Sequence, residues 1–436
     1  MVPRFLRSVS LLLLIVASAA AQEAVRSLVI LHTNDLHARL MPDAQDRGGF
    51  ARLATAISRE RQGCDSCLLV NAGDLVQGTP VSTLFRGLPV YELARLFRFD
   101  VSTLGNHEFD YGWEMTSRFL KTANGPVVAC NLADDQGRLF TRNAYAIRNV
   151  NGIRVAVIGA IMGNLTTYNP PAKLGPWRAA PALETVRKCA AEARGRADLV
   201  VLLAHLEGAE QSAVLRQVPE VSVIVGAHVH EGLEGLQEFD GRVWVRGNSY
   251  GRELGRLELK VDVPAKRLAA WTWKRIPINA SVDPEPKMAA QVAKWEKRVA
   301  KVVDVPVGES RREFAGTDLQ LLIQRALADG MGGDFGLMNL GGVRDKLPKG
   351  RLLARHVWNV MPFDDRAIAG KFKGSELPPA VARAHAVDPN REYTLVTTEF
   401  ISETGALGTR GLKFTRTGPV LRDLIIDWIR KQKMLE

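Results

Sequence analysis

Asp35 and His37 close the stretch LVILHTNDLH, Leu28 to His37. A carboxylate two residues from an imidazole is a mixed oxygen and nitrogen donor set suited to Zn, Mn or Fe. Taken alone, the pair reads equally as a turn aspartate beside an unrelated histidine. The arrangement recurs along the chain, however. Asp74 ends AGD, Asn106 and His107 end LGNH, His205 ends AH, and His228 and His230 fall in GAHVH. Five of the eight histidines lie in these blocks; only His32, His356 and His385 lie elsewhere. Such a pool suits two metal ions about 3.5–4 Å apart that share one carboxylate.

Something rigid must aim these donors at a common point. Each block follows a short apolar run that reads as a buried strand: Leu28 onward, Cys67 to Asn71, a run near Val101, Leu199 to Leu203, and Val221 to Val225. Helical stretches are expected at Phe50 to Arg61, around Tyr91 to Phe97, and at Ala180 to Gly195. Further strands are expected at Val127 to Ala129 and Val155 to Ile161. Val243 to Arg246 and Leu254 to Val263 read as an antiparallel finish. The mixture predicts an α/β domain with more than one sheet. Asp283-Pro284-Glu285-Pro286 then opens a helix to about Val303. Its apolar stripe is Met288, Val292, Trp295, Val299 and Val302, and the remainder is Lys, Arg and Glu. The expected organisation is a signal peptide at 1–21, a first domain at 25–282, an interdomain helix at 283–304 and a second domain at 305–436.

The 436 residues are 46% hydrophobic and 24% charged, ordinary for a globular chain long enough for two domains. Arg4 and Arg7 precede the apolar run Leu11 to Ala17, and Ala19-Ala20-Ala21 is a small-residue cleavage site. This reads as a secretory signal, too short to span a membrane. No Cys follows the cleavage site, and the terminal WIRKQKMLE is too charged for a lipid-anchor signal. The expectation is an exported protein, periplasmic or secreted, without a stable membrane anchor. Loss of the two signal arginines lowers the formal charge from +11 to +9. The basic residues are scattered, with no long run and no nucleic-acid motif, so they read as a solvated surface rather than a site for a nucleic-acid polymer. Cys64 and Cys67 are expected to form a local disulfide, which export permits. Cys130 reads as buried.

The blocks DLH, GDLVQGTP, GNHEFD, AHLEG and GAHVH together resemble the five signature blocks of the calcineurin-like metallophosphoesterases. LHTNDLH combined with a later NLGGVR resembles, within that group, the exported 5′-nucleotidase family. The resemblance covers about residues 27 to 400. It implies an N-terminal αββα sandwich, an interdomain helix and a smaller C-terminal α+β substrate-binding domain. It implies two divalent ions, Zn, Mn or another first-row metal. Asp35, His37 and His230 would hold one, and Asn106, His205 and His228 the other, with Asp74 bridging. Neutral ligands such as Asn106 leave net positive charge to receive a phosphate, so Asn106 also counts as a substrate contact. The family often has Gln or Asn where His230 stands. His107 and Asp110 match the catalytic dyad, in which the carboxylate orients the imidazole and favours its charged form. The nucleophile would be metal-bound water or hydroxide.

In the second domain Asn339, Gly341, Gly342 and Arg344 match the family's substrate loop. Met361-Pro362-Phe363 matches the segment that carries one base-stacking aromatic, Phe363. The segment that carries a second one in relatives reads Glu403-Thr404-Gly405-Ala406-Leu407-Gly408 here, without an aromatic. The expected activity is that of a 5′-nucleotidase, a metal-dependent phosphoric ester hydrolase acting on small nucleotides. Other readings are a 2′,3′-cyclic-nucleotide phosphodiesterase, a UDP-sugar hydrolase, a thiosulfohydrolase-like relative, and a nucleotide-binding protein without activity. The sequence leaves the oligomeric state open.

Overall fold

Strand β1 (Val25–Thr33) sends alternate side chains into two different cores. Leu28 and Ile30 join Leu68 and Val70 on one side, while Val29 and Leu31 join Leu69 on the other. A strand buried on both faces is a near-continuous apolar run, as this one is. The computed structural model describes residues 25–436, so the signal-peptide reading of residues 1–21 lies outside the described residues.

Helix α1 (Phe50–Gln62) leads to β2 (Cys67–Asn71), parallel to β1, and β3 (Val101–Ser102) lies parallel to β2. A second sheet takes β4 (Tyr145–Val150), β5 (Ile153–Ile161), β6 (Leu199–His205), β7 (Val223–Gly226), β8 (Gln237–Phe239) and β9 (Arg242–Val245). The chain then returns to the first sheet with β10 (Glu253–Asp262) and β11 (Arg267–Pro277). The sheet orders are β11-β10-β1-β2-β3 and β8-β9-β7-β6-β5-β4. Their inner faces share one core, in which Ile30, Val70 and Leu257 meet Val157, Val201 and Val225. Helices α2 (Ala182–Arg196) and α3 (Gly208–Gln217) cover the outer face of the second sheet through Val186, Ala190 and Val214. Helix α1 covers that of the first through Leu53 and Ile57. The architecture is an αββα sandwich.

Two expectations need correction. Val243–Arg246 and Leu254–Val263 do not pair as an antiparallel finish. Strand β9 runs parallel to β7 in the second sheet, while β10 is antiparallel to β1 in the first. Val127 to Ala129 is not a strand. The Val128 N–H donates to Ser102 O at 2.9 Å and the Cys130 N–H donates to Gly159 O at 2.8 Å. This extended segment therefore crosses from one sheet to the other instead of forming a ladder with either.

Helix α4 (Pro286–Val303) starts at Glu285, whose carboxylate accepts the N–H groups of Lys287 and Met288. Met288, Val292, Val299 and Val303 are buried against α1 and its surroundings. Val302, expected in the stripe, is exposed, because 3.6 residues per turn carry the buried line on to Val303. Beyond α4, helices α5 (Gly316–Met331) and α6 (Leu421–Gln432) share a separate core with a four-stranded sheet. Arg355 ties this part to α4 through Glu296 at 2.8 Å and Asp304 at 2.6 Å. Cys64 and Cys67, the first residue of β2, form a disulfide.

Candidate metal centre

The parallel strands β1, β2, β3, β6 and β7 end at one edge of the sandwich, where open α/β sheets gather ligands. Their terminal loops bring the predicted donors together. Suitable ligand atoms of Asp35, His37, Asp74 and His230 lie within 4.8 Å of one another, and so do those of Asp74, His205 and His228. Asp74 belongs to both groups. Asn106 joins the second, its Oδ1 lying 3.3 Å from His205 Nε2.

The backbone is bent to achieve this. Asp35, His37, Asp74, His228 and His230 all have positive φ, between 47° and 74°. Non-glycine residues in this region cost on the order of 1–3 kcal/mol each and persist where the surroundings over-determine them. Five such residues converging on one point mark a built site. Gly73 and Gly105 permit the approach. A Cβ on Gly105 would lie 2.1 Å from Asp74 Oδ1, and one on Gly73 2.8 Å from His205 Nδ1.

Each of the four histidines also has an outward partner. His37 Nδ1 faces Gln77 O at 3.2 Å, His205 Nδ1 faces Ala72 O at 2.9 Å, and His230 Nδ1 faces the Tyr250 hydroxyl at 3.3 Å. The Nε2 atoms of His37 and His205 are thereby turned to Asp74 Oδ2, at 3.7 and 3.2 Å. Metal-ligating histidines are fixed in this way. His228 Nε2 lies 3.5 Å from the Glu207 carboxylate.

The electrostatics fit a cation site. Burial pushes His37 well below its usual range, His228 down to about 4 and His230 down to about 3, leaving neutral rings with free lone pairs. Burial opposes charge on Asp74, yet His205, His107 and His37 around it hold it ionised. Asp74 Oδ2 is buried at the middle of the cluster, an anionic oxygen faced by the His37 and His205 rings. His205 is raised to about 9: burial disfavours its charge, but Asp74 and Asp35 outweigh it. A dication would take the place of that proton. These residues fit a divalent metal site.

His107 stands beside the cluster, its N–H donating to Asp74 Oδ1 at 3.0 Å and its Nδ1 2.8 Å from Asp110 Oδ2. Burial disfavours its charge, and Asp110 and Asp74 raise its pKa nonetheless. Arg344 approaches from the C-terminal part. Its charge lowers the pKa values of His37, His107 and His230, and its Nη2 is buried without a partner. The Phe363 ring lies 6.1 Å from that of His107. Pro362 O accepts Gln77 Nε2 at 3.0 Å and Thr83 Oγ1 at 2.8 Å, and Arg39 pairs with Asp345 at 3.0 Å, closing the two parts together. Gly342 is buried, and a Cβ there would lie 2.2 Å from Met338 Cε. Gly341 is exposed and Asn339 half-buried, and neither makes a polar contact with the cluster among the described residues.

The expected set omits Glu108, Tyr168, Glu207 and Tyr250. Glu108 is fully buried and accepts N–H groups from Gly105 at 2.6 Å, Leu75 at 2.8 Å and Asp74 at 3.1 Å. It ties the β2 and β3 loops together. Its place next to His107 in GNHEFD was the available signal. Glu108→Ala leaves three buried donors unpaired and is expected to cost at least about 3 kcal/mol. A denaturant midpoint unchanged from the parent chain would contradict this role.

Residues 28–232 match the family of calcineurin-like phosphoesterases, and residues 298–385 match the 5′-nucleotidase C-terminal domain. The chain is 29% identical over 403 residues to Endonuclease YhcR of Bacillus subtilis, covering 82% of this chain and 33% of that protein. It is 28% identical over 339 residues to Protein 5NUC of Lutzomyia longipalpis, covering 69% of this chain and 59% of that protein. The chain thus spans a third to three fifths of the length of these two relatives. The crystal structure of a 5′-nucleotidase precursor from Thermus thermophilus superposes with a TM-score of 0.85 at 22% identity, covering 94% of this chain and 97% of that one. No helix among the described residues is long and apolar enough to cross a membrane.

Proposed function

Since the chain belongs to the metallophosphoesterases that carry a 5′-nucleotidase C-terminal domain, we propose that it is an exported dinuclear phosphohydrolase releasing phosphate from nucleoside 5′-monophosphates. The observation that carries this reading is the double cluster around Asp74, six residues of which five have left-handed backbone. Asp35, His37 and His230 would hold one ion and Asn106, His205 and His228 the other, with Asp74 shared. Two bound dications polarise a phosphoryl group and supply a water nucleophile at neutral pH.

The chain's own residues do the rest. His107, kept charged by Asp110, donates to the phosphoryl oxygens as negative charge builds on them. Arg344 adds a second cationic donor from the opposite wall, through the Nη2 that has no protein partner. Phe363 offers a ring face beside the site for a base, and the Gly341–Gly342 loop gives backbone access to the nucleoside. The proposed ligand is therefore a small nucleotide. Asn339 supports the loop by accepting the Gly342 N–H on its carbonyl at 3.2 Å.

The deciding experiment is a substrate panel on the metal-loaded chain: nucleoside monophosphates, 2′,3′-cyclic nucleotides, UDP-sugars, thiosulfonates and a small aryl phosphate. Fastest turnover of nucleoside 5′-monophosphates is expected. Phe363→Ala should raise KM for them by about tenfold, in line with the roughly 1–3 kcal/mol of base–aromatic stacking, and leave the aryl phosphate nearly unchanged. Equal effects on both substrates would remove Phe363 from base recognition. Turnover of none of the panel by a chain that binds metal would favour the nucleotide-binding reading.

A further inference from the structure

Three of the four cluster histidines take their outward partner from the strand-end loops that carry the ligands or, for His230, from nearby Tyr250. The fourth, His228, also faces a residue of such a loop, but one that is itself held from another segment. His228 faces Glu207 at 3.5 Å, and Glu207 is in turn held by the Tyr168 hydroxyl, which donates to its Oε1. The Tyr168 ring also stands edge-on to the His228 ring, with centroids 5.0 Å apart. The next residue, Asn169, is fully buried and donates from Nδ2 to Asp110 Oδ1 at 3.3 Å. Asp110 uses its other oxygen for His107. One two-residue step, beyond the end of β5, therefore touches both halves of the site.

We propose that Tyr168-Asn169 is a positioning segment: Tyr168, through Glu207, orients the metal-side imidazole of His228, and Asn169 independently orients the Asp110 carboxylate behind His107. A carboxylate facing Nε2 accepts the N–H of that nitrogen, which keeps the proton there and leaves the lone pair on Nδ1, so tautomer and ring angle are fixed together. Asn169 pins the oxygen of Asp110 that His107 does not use, so the carboxylate presents the other one in a single orientation. The two adjacent side chains act on different quantities, one on metal affinity and the other on turnover.

This inference rests on the two-metal reading, so the experiment begins with that reading. The metal-stripped full chain is titrated with Mn²⁺ by calorimetry; a parent chain that binds no Mn²⁺ would overturn the reading itself. Given two bound ions, Glu207→Ala should weaken one of them by about 10–100-fold. Glu207→Gln, which still accepts from both Tyr168 and His228, should stay within a few-fold of the parent. Tyr168→Phe should fall between the two. Asn169→Leu should bind Mn²⁺ like the parent, with kcat lowered about tenfold at unchanged KM, as expected for a lost hydrogen bond to a charged group. Unchanged Mn²⁺ affinity in Glu207→Ala would overturn the first arm, as would Glu207→Gln binding as weakly as Glu207→Ala, which would make Glu207 a ligand itself. A loop that merely fills space would lose metal and turnover together in every variant, and that result would overturn the proposal.

Discussion

Asp74→Asn is expected to drop metal content from two ions per chain to less than one and to abolish most turnover. Two dications about 4 Å apart repel by on the order of 15 kcal/mol even at an effective dielectric of about 20. Asp74 is the carboxylate common to both donor groups, and its Oδ2 faces a histidine of each, His37 and His205. An amide there carries no charge and offers a single oxygen, so the repulsion is no longer offset. The fold should survive, because the amide oxygen can still accept the His107 N–H that Asp74 Oδ1 accepts now. The turnover loss should exceed the roughly 10²–10³ that one lost transition-state donor costs. His230→Ala provides the contrast: it removes a ligand from one group only, and one ion should remain. Elemental analysis of both variants with circular dichroism as a folding control decides the matter. Two ions retained in Asp74→Asn would remove its bridging role.

The strand ends were readable because a run such as LVVLLAH states both its burial and its stop. The second sheet's edge was not. Val243 and Leu254 each sit in an apolar run, and nothing local says that β9 joins β7 while β10 crosses back to β1. The Val127–Ala129 run has strand composition but divides its hydrogen bonds between Ser102 and Gly159, a choice made by tertiary packing. The site shows the same division. The ligand types were legible at the ends of strands, whereas the left-handed backbone of Asp35, His37, Asp74, His228 and His230 was not, since none of these is a glycine. Glu108, Tyr168 and Glu207 escaped for another reason. Their chemistry lies in what they hold, Gly105, Glu207 and His228 respectively, and only folded proximity reveals that.

His107→Asn is expected to lower kcat by about 10²–10³, or about 2.7–4 kcal/mol of transition-state stabilisation, with both metal positions filled. The imidazole belongs to neither donor group, and its backbone N–H, which contacts Asp74 Oδ1, survives the substitution. The loss therefore isolates the side chain's contribution to the reaction. The pH dependence gives a second reading. Asp110 and Asp74 raise the His107 pKa against the opposing effect of burial, so the charged donor persists above pH 6.5 and is lost as pH rises through that raised value. Asp110→Asn removes one of the two carboxylates responsible, so the folded pKa must fall. The alkaline limb of the kcat profile should accordingly move to lower pH, while a general base would have shown an acidic limb moving instead. His107→Asn should lack that limb altogether and run flat at its reduced rate across the same range. Should Asp110→Asn shift nothing, or His107→Asn keep the parent's turnover, the pair would be a hydrogen bond that shapes the Asn106 turn, and the charge on the phosphoryl group would rest on Arg344 and the two ions.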